Sequence, residues 1–419
     1  MRPVLLLGAV AALALLAGGP AAATRSGCGA PRADPSYTAH LARALAGGRD
    51  VLGERLLSKR GGPTYARAAQ VLAPLFYAAR RGGRRLTASG VYYLPFTRPL
   101  SVGGPRGFGL HVADGSQVLV RRAGGPSLTV SVGAAGRERF GSCLRRLGEP
   151  ALANGYLPML QVAYRDAAGV RYRQQSFVGR VAGGSLASFV RIVADATHAS
   201  SASVIRLTTS RGGAIRTVVP RGGTSEVDAV FVHAGLRLRR VEPAEYDEAR
   251  AGVASFWETA LASLPAYVVP EPRVLDAERA VLIEEMEMTW RYSVGNAYEE
   301  LSFAEALDVA QVMAEFGHGD IARQILRYTL HELPGRFTSW RAGERLVAGA
   351  QYFRLSRDSA YVDEETPRLA AVVRRLAATI GANGLLPRER FSSDIADEVY
   401  GLHAQTLVWQ GLLAMGRVW

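Results

Sequence analysis

Lysine is nearly absent from this 419-residue chain: Lys59 is the only one, so almost all of the basic charge behind the formal +13 is arginine. The arginines are scattered, and the densest runs, "RRGGRR" at 80–85 and "RLRR" at 237–240, are short. A nucleic-acid or anionic-membrane surface needs a stripe of positive charge, so the pattern speaks for a coding preference and against those partners. Cysteine is almost as rare. With only Cys28 and Cys143, a thiolate metal site is excluded. The seven histidines form no HExxH pattern and no close pair along the chain, so no metal and no cofactor are expected. No G-x-S-x-G is present either, which leaves a serine hydrolase little support.

Long apolar runs are also missing. Beyond the first residues nothing approaches the ~18–20 continuous apolar positions that span a bilayer. The first residues, "MRPVLLLGAVAALALLAGGPAAATRSG", place Arg2 before an apolar run through Leu16, and then Ala21, Ala22 and Ala23. This is the order of a secretory signal peptide, expected over 1–23, with no stable membrane insertion after cleavage. Lipid attachment at Cys28 is the alternative, although "TRSGC" puts Arg25 where a lipoprotein signal wants an aliphatic residue. Export places the chain in an oxidising compartment, where Cys28 and Cys143 can pair. So long a loop stabilises by up to about 4–5 kcal/mol in the chain-entropy picture. Two unpaired thiols are the other outcome.

What is present divides the chain by texture. Hydrophobic content of 48% with 21% charged residues is that of globular protein. The segment 24–85 reads as helical hairpins, with apolar positions three and four apart and Gly-Gly breaks. From 86 to 242 short alternating or β-branched runs follow one another between glycine turns, with Asp114-Gly115 a turn signal. No strand–helix alternation appears, so an antiparallel β-sandwich is expected. From 243 to 419 the period becomes helical, with seven candidate helices near 243–263, 274–290, 301–316, 319–332, 339–354, 361–381 and 399–417. All five tryptophans lie in this last part: Trp257, Trp290, Trp340, Trp409 and Trp419. Each can fill a helical core, or, near the mouth of an αα-hairpin, present a flat apolar face to a sugar.

The end of the chain raises a chemical question. In "GLLPRERFSSDIADEVYGLHAQTLVWQGLL" four acids, Glu389, Asp394, Asp397 and Glu398, precede an apolar helix. They can cap that helix and offset its dipole, as can Ser392 and Ser393. They can also serve as a general acid and a substrate ligand, provided that burial and a neighbouring carboxylate keep one of them protonated.

A β-sandwich followed by αα-hairpins resembles the layout of the six-hairpin glycosidases, whose helices form an (α/α)6 toroid. The segment "DEVYGLHAQTLVWQGL" (397–412) looks like the general-acid loop and following helix of the glucoamylase-like members. The resemblance implies that Asp397 is the general acid and Glu398 a substrate ligand. Two departures, Asp in place of the usual Glu and Ala396 where an aromatic residue usually stands, leave the two roles open between these acids. The stretch 289–326 is similar to a substrate-binding hairpin of the same superfamily, with Trp290, Tyr298, Glu299 and Glu300 where an Arg-Asp pair is usual. "GANGLLP" (381–387) matches a recurrent turn. Trp340 and Asp394 complete the expected substrate contacts.

The resemblance thus implies an α+β multidomain chain: N-terminal helices, an antiparallel β-sandwich, then a partial toroid of αα-hairpins that stops before the hairpin carrying the catalytic base. It implies inverting hydrolysis of glycosidic bonds in an oligo- or polysaccharide, for which two carboxyls lie ~6.5–9.5 Å apart. A non-catalytic sugar-binding protein is the alternative. A polysaccharide lyase ranks below both, because lyases place the toroid before the sandwich.

Overall fold

The computed structural model describes residues 35–57, 63–76, 80–81, 84–85, 93–96, 107–120, 125–262, 269–288, 303–331, 338–390 and 397–419. The chain is mixed α/β, with antiparallel sheets in the middle and helices at both ends. Helices α1 (Pro35–Ala46), α2 (Val51–Leu57) and α3 (Tyr65–Phe76) come first. A two-stranded ladder follows, of β1 (Arg80–Arg81) with β2 (Arg84–Arg85), so strand pairing starts slightly before the expected 86.

Two larger sheets carry the middle of the chain. One holds β3 (Tyr93–Phe96), β4 (Gly109–Val112), β5 (Gln117–Val120), β6 (Ser127–Val132), β12 (Ser203–Thr209) and β13 (Ala214–Val219), in the order β13-β12-β6-β5-β4-β3. In it β7 (Glu138–Arg139) pairs with β6. The other runs β15-β14-β11-β10-β9-β8, built from β8 (Ala151–Ala153), β9 (Leu157–Arg165), β10 (Arg171–Arg180), β11 (Leu186–Asp195), β14 (Thr224–Val232) and β15 (Arg237–Arg240). The expected turn at Asp114-Gly115 joins β4 to β5. Gly115 takes a positive φ of 76°, and Asp114 Oδ1 accepts the Ser116 N–H at 2.8 Å. A side chain there would also press on Phe140 and Gln174.

Period-two alternation in the six-stranded sheet assigns each residue to one of two cores. Leu160, Val178, Val190 and Phe231 share a core with Val130 and Leu207 of the other sheet. Their neighbours Met159, Phe177, Phe189 and Val230 face a second core made with the C-terminal helices. Helix α4 (Pro243–Leu261) opens with Pro243 in its first turn, where the missing N–H costs nothing. It lays Tyr246 edge-on against Phe177, with ring centroids 5.2 Å apart. Trp257 is fully buried in this core, so at that position the space-filling reading of the tryptophans holds.

Six more helices complete the described chain: α5 (Pro272–Met288), α6 (Phe303–Glu315), α7 (Gly319–His331), α8 (Ser339–Ser356), α9 (Ser359–Thr379) and α10 (Leu402–Val418). With α4 they match the seven expected helical segments. A small ladder, β16 (Glu389–Arg390) with β17 (Glu398–Val399), lies between α9 and α10. Among the described helices α8 and α10 pack against each other most extensively. A Cβ at Gly343 would come within 2.7 Å of Val408 N, and one at Gly411 within 2.7 Å of Gly343 O.

Cys143 is buried and disulfide-bonded. Cys28, the other cysteine of the sequence, lies outside the described residues, as do Trp290, Tyr298, Glu299, Glu300 and Asp394. Among the described residues no helix is long and apolar enough to cross a membrane. Among them, too, no three His, Cys, Asp or Glu side chains converge on a metal-sized site.

Candidate functional site

Helices α6, α8 and α10 bring their N-terminal ends together, and the β16–β17 ladder crosses beside them. Helix α8 starts without a side-chain cap from its own N-cap residue, Thr338. Its first donors go instead to Glu389 of β16, whose carboxylate accepts the N–H of Ser339 at 2.7 Å and of Trp340 at 3.1 Å. A carboxylate at a helix N-terminus satisfies orphan donors and meets the positive end of the dipole. Of the four acids singled out in the sequence, Glu389 therefore has a structural task, at a helix fifty residues upstream rather than at the one that follows. Helix α10 begins at Gly401 with no side-chain cap.

Beside this cap lies a shallow surface depression, with an enclosed volume of only about 10 Å³, lined by Trp340, Glu389, Arg390, Gly401, His403 and Ala404. Trp340, half-buried, has the Phe303 ring edge-on at 6.2 Å and the His403 ring at 6.4 Å. The Arg341 guanidinium lies 5.1 Å from the Trp340 ring centre, and that of Arg345 lies 4.7 Å from the Phe303 ring centre. Tyr400, next in sequence to the lining residue Gly401, is exposed. Gln405, one turn into α10, ties down the neighbouring 381–387 turn by accepting the Leu386 N–H at 3.2 Å.

Asp397 and Glu398 are both exposed. Glu398 stands opposite Arg390 in the β16–β17 ladder, and its main-chain carbonyl accepts from the Arg388 guanidinium. Neither acid has the burial that the sequence reading required of a protonated donor.

That environment is found at Glu344 instead, four residues after Trp340 on the same α8 face. Burial pushes its carboxyl up to about 7, the negative charges of Asp308 and Glu305 on α6 add to the rise, and Arg341 opposes it. The Oε2 atoms of Glu344 and Glu305 are both out of contact with water and lack a hydrogen-bond partner. Trp340 is the one expected substrate contact that the described residues place at the depression. Phe303, Arg341, Glu344, Arg345 and Arg390 are not among the residues singled out in the sequence, whereas Glu389 is, although for the helix that follows it. A sequence signal existed for some of them, since Trp340/Glu344 and Arg341/Arg345 in "SWRAGERL" are spaced four apart on one helical face.

Chemically, the depression offers a flat apolar ring, a guanidinium and a carboxylate, while the raised carboxyl of Glu344 lies one turn further along α8, outside this lining. That set suits a ligand with an apolar face and many hydroxyls. No protein-family model matches the chain, and no curated protein matches it.

Proposed function

We propose that this chain is an exported carbohydrate-binding protein on a glycosidase-like scaffold, with its saccharide seated over the N-terminal ends of α6, α8 and α10. In this reading the two larger sheets form a β-sandwich, and the helices from α4 onward are αα-hairpins of a toroid like that of the six-hairpin glycosidases. The observation that carries the reading is Trp340, with the rings of Phe303 and His403 near it, at the wall of a shallow depression that also has Arg390 and Glu389 in its lining. Its ring supplies the stacking surface. Arg390, with Asp397 and Glu398 at the nearby ladder, supplies polar contacts to hydroxyls. The buried, disulfide-bonded Cys143 supports an oxidising compartment. The test is a glycan array followed by calorimetric titration of the best ligand. Trp340→Ala, checked for folding by circular dichroism, is expected to weaken binding at least tenfold. Unchanged affinity would remove the site.

Hydrolysis of the glycosidic type is the second reading, and Glu344 favours it. A carboxyl that stays protonated near neutral pH, with other carboxyls beside it, is what protonation of a leaving oxygen demands. On that reading Glu344 takes the donor role that the resemblance gave to Asp397 and Glu398. Release of reducing sugar from oligosaccharides by the wild type, and its loss in Glu344→Gln but not in Asp397→Asn or Glu398→Gln, is the expected pattern.

A further inference from the structure

A buried polar chain links the two larger sheets, and nothing in the saccharide site uses it. His111 of β4 is fully buried, yet both of its ring nitrogens have hydroxyl partners. Nδ1 lies 2.9 Å from Ser176 Oγ on β10, and Nε2 lies 3.3 Å from Ser188 Oγ on β11. The Ser188 hydroxyl is shared, because His233 Nε2, just past the end of β14, lies 3.0 Å from the same oxygen. The chain Ser176–His111–Ser188–His233 thus crosses from one sheet to the other. Around it the packing is tight. Phe96 of β3 lies edge-on to His111 at 5.1 Å. A Cβ at Gly109 would already meet Val178, Ser188 and His233 within 3.2 Å, so the backbone of β4 packs closely against this chain, whose His111 is fully buried and whose His233 is partly buried.

The proton count of this chain is fixed by its geometry. A hydroxyl has one proton, so Ser188 can donate to one imidazole while accepting from the other. With both imidazoles neutral, two proton orders satisfy every link, one running from Ser176 towards His233 and one running back. If both histidines are cationic, each N–H must point at Ser188, its own O–H loses its acceptor, and two positive charges face each other through one oxygen.

We propose that Ser176–His111–Ser188–His233 is an acid-sensitive latch that holds the two sheets together at neutral pH and releases them when both histidines take up protons. Burial holds both imidazoles neutral, with His111 lowered to about 3 and His233 to about 4 from an ordinary 6.5. Among the described residues, His233 is the titratable group whose charge acts on His111. β3 contributes the phenyl ring of Phe96 to the contact, β10 and β11 the hydroxyls of Ser176 and Ser188, and β14 the ring of Phe231, 6.1 Å from that of His233. The sign follows from proton uptake. Both groups bind protons more readily when unfolded, so their stabilisation is complete above pH 6.5 and is lost as pH falls towards their folded values. In that window each histidine lowers the folding equilibrium constant by up to about tenfold per pH unit, or about a hundredfold for the pair.

Asp114, buried and raised to about 7, titrates in the opposite sense, so the latch is read as a difference between proteins. Denaturant melts between pH 4.5 and 7.5 would compare the wild type with a His111→Gln, His233→Gln double variant. The wild type should lose stability more steeply on acidification, by up to a hundredfold per unit in the equilibrium constant. Parallel profiles would overturn the proposal. Should the double variant fail to fold, imidazole carbon–proton NMR spectra of the wild type decide. Resonances of His111 and His233 that stay neutral at pH 5.5 in the folded state support the latch, and titration near 6.5 without unfolding sinks it.

Discussion

The Glu389 carboxylate accepts the main-chain N–H of Trp340 at 3.1 Å, and through it a two-residue strand holds the first turn of a helix whose own N-cap residue makes no cap. The contact also orients the candidate stacking surface, because Trp340 occupies the position that the carboxylate anchors. Glu389→Ala removes both the acceptor and the charge at the positive helix end, and is expected to cost about 1–2 kcal/mol. Glu389→Gln keeps one acceptor and is expected to lose less. Urea melts of the three proteins give the order. Equal midpoints would mean that the helix end is satisfied in another way.

The crossing of α8 and α10 rests on two glycines. A methyl at Gly343 meets the main chain of Leu407 and Val408, and one at Gly411 meets the carbonyl of Gly343, all within 3 Å. Backbone cannot swing aside as a flexible side chain does, so the helices must move apart. Gly343→Ala and Gly411→Ala are each expected to lower stability by about 1–3 kcal/mol, and the double variant less than their sum, because the first displacement makes room for the second. Thermal melts of the three variants check this.

Much of this architecture was legible in local pattern. The helix that carries Trp257 and the turn at Asp114-Gly115 follow from apolar spacing and turn chemistry, which act over a few residues. The site was legible only in part, because its geometry is set by residues far apart in sequence. Glu389 meets Ser339 across fifty positions, and Glu344 owes its environment to Asp308 and Glu305 on another helix. Adjacent acids such as Asp397 and Glu398 attract attention in a sequence, yet their exposure depends on how a ladder folds over. Likewise "no close pair" of histidines along the chain did not foresee His111 and His233, which meet through one serine.

Arg191 couples the six-stranded sheet to the helices. From β11 it makes two 2.7 Å hydrogen bonds to Asp228 of β14 and a third to Asp247 of α4, with its guanidinium 4.1 Å from the Tyr246 ring centre. Asp228 is almost fully buried, so removing its partner strands a charge. Arg191→Met is expected to cost about 3–5 kcal/mol. Arg191→Lys should restore only part of this, since an ammonium cannot match the two-pronged geometry. Asp228→Asn in the Arg191→Met background should recover stability, and denaturant melts of this double-mutant cycle measure the coupling.

The pH behaviour of Glu344 ties the candidate site to stability. Its carboxyl is raised from 4.5 to about 7, chiefly by burial, so the folded protein holds this proton more tightly than the unfolded chain does. The corresponding stabilisation is complete below pH 4.5 and is lost as pH rises through about 7, where the folded protein must accommodate a charge without a hydrogen-bond partner at Oε2. Glu344→Gln removes that charge. It is expected to match the wild type at pH 4, where both side chains are neutral, and to exceed it at pH 8. Melting temperatures across pH 4–8 check this. If the chain hydrolyses glycosides, the same titration should appear as a fall in kcat/KM on the alkaline side of pH 7, since the donor must carry its proton. A stability crossover without any activity would leave Glu344 as a buried acid in a binding site. A Glu344→Gln profile parallel to the wild type throughout would show that the carboxyl is solvated, and with it the hydrolytic reading would fail.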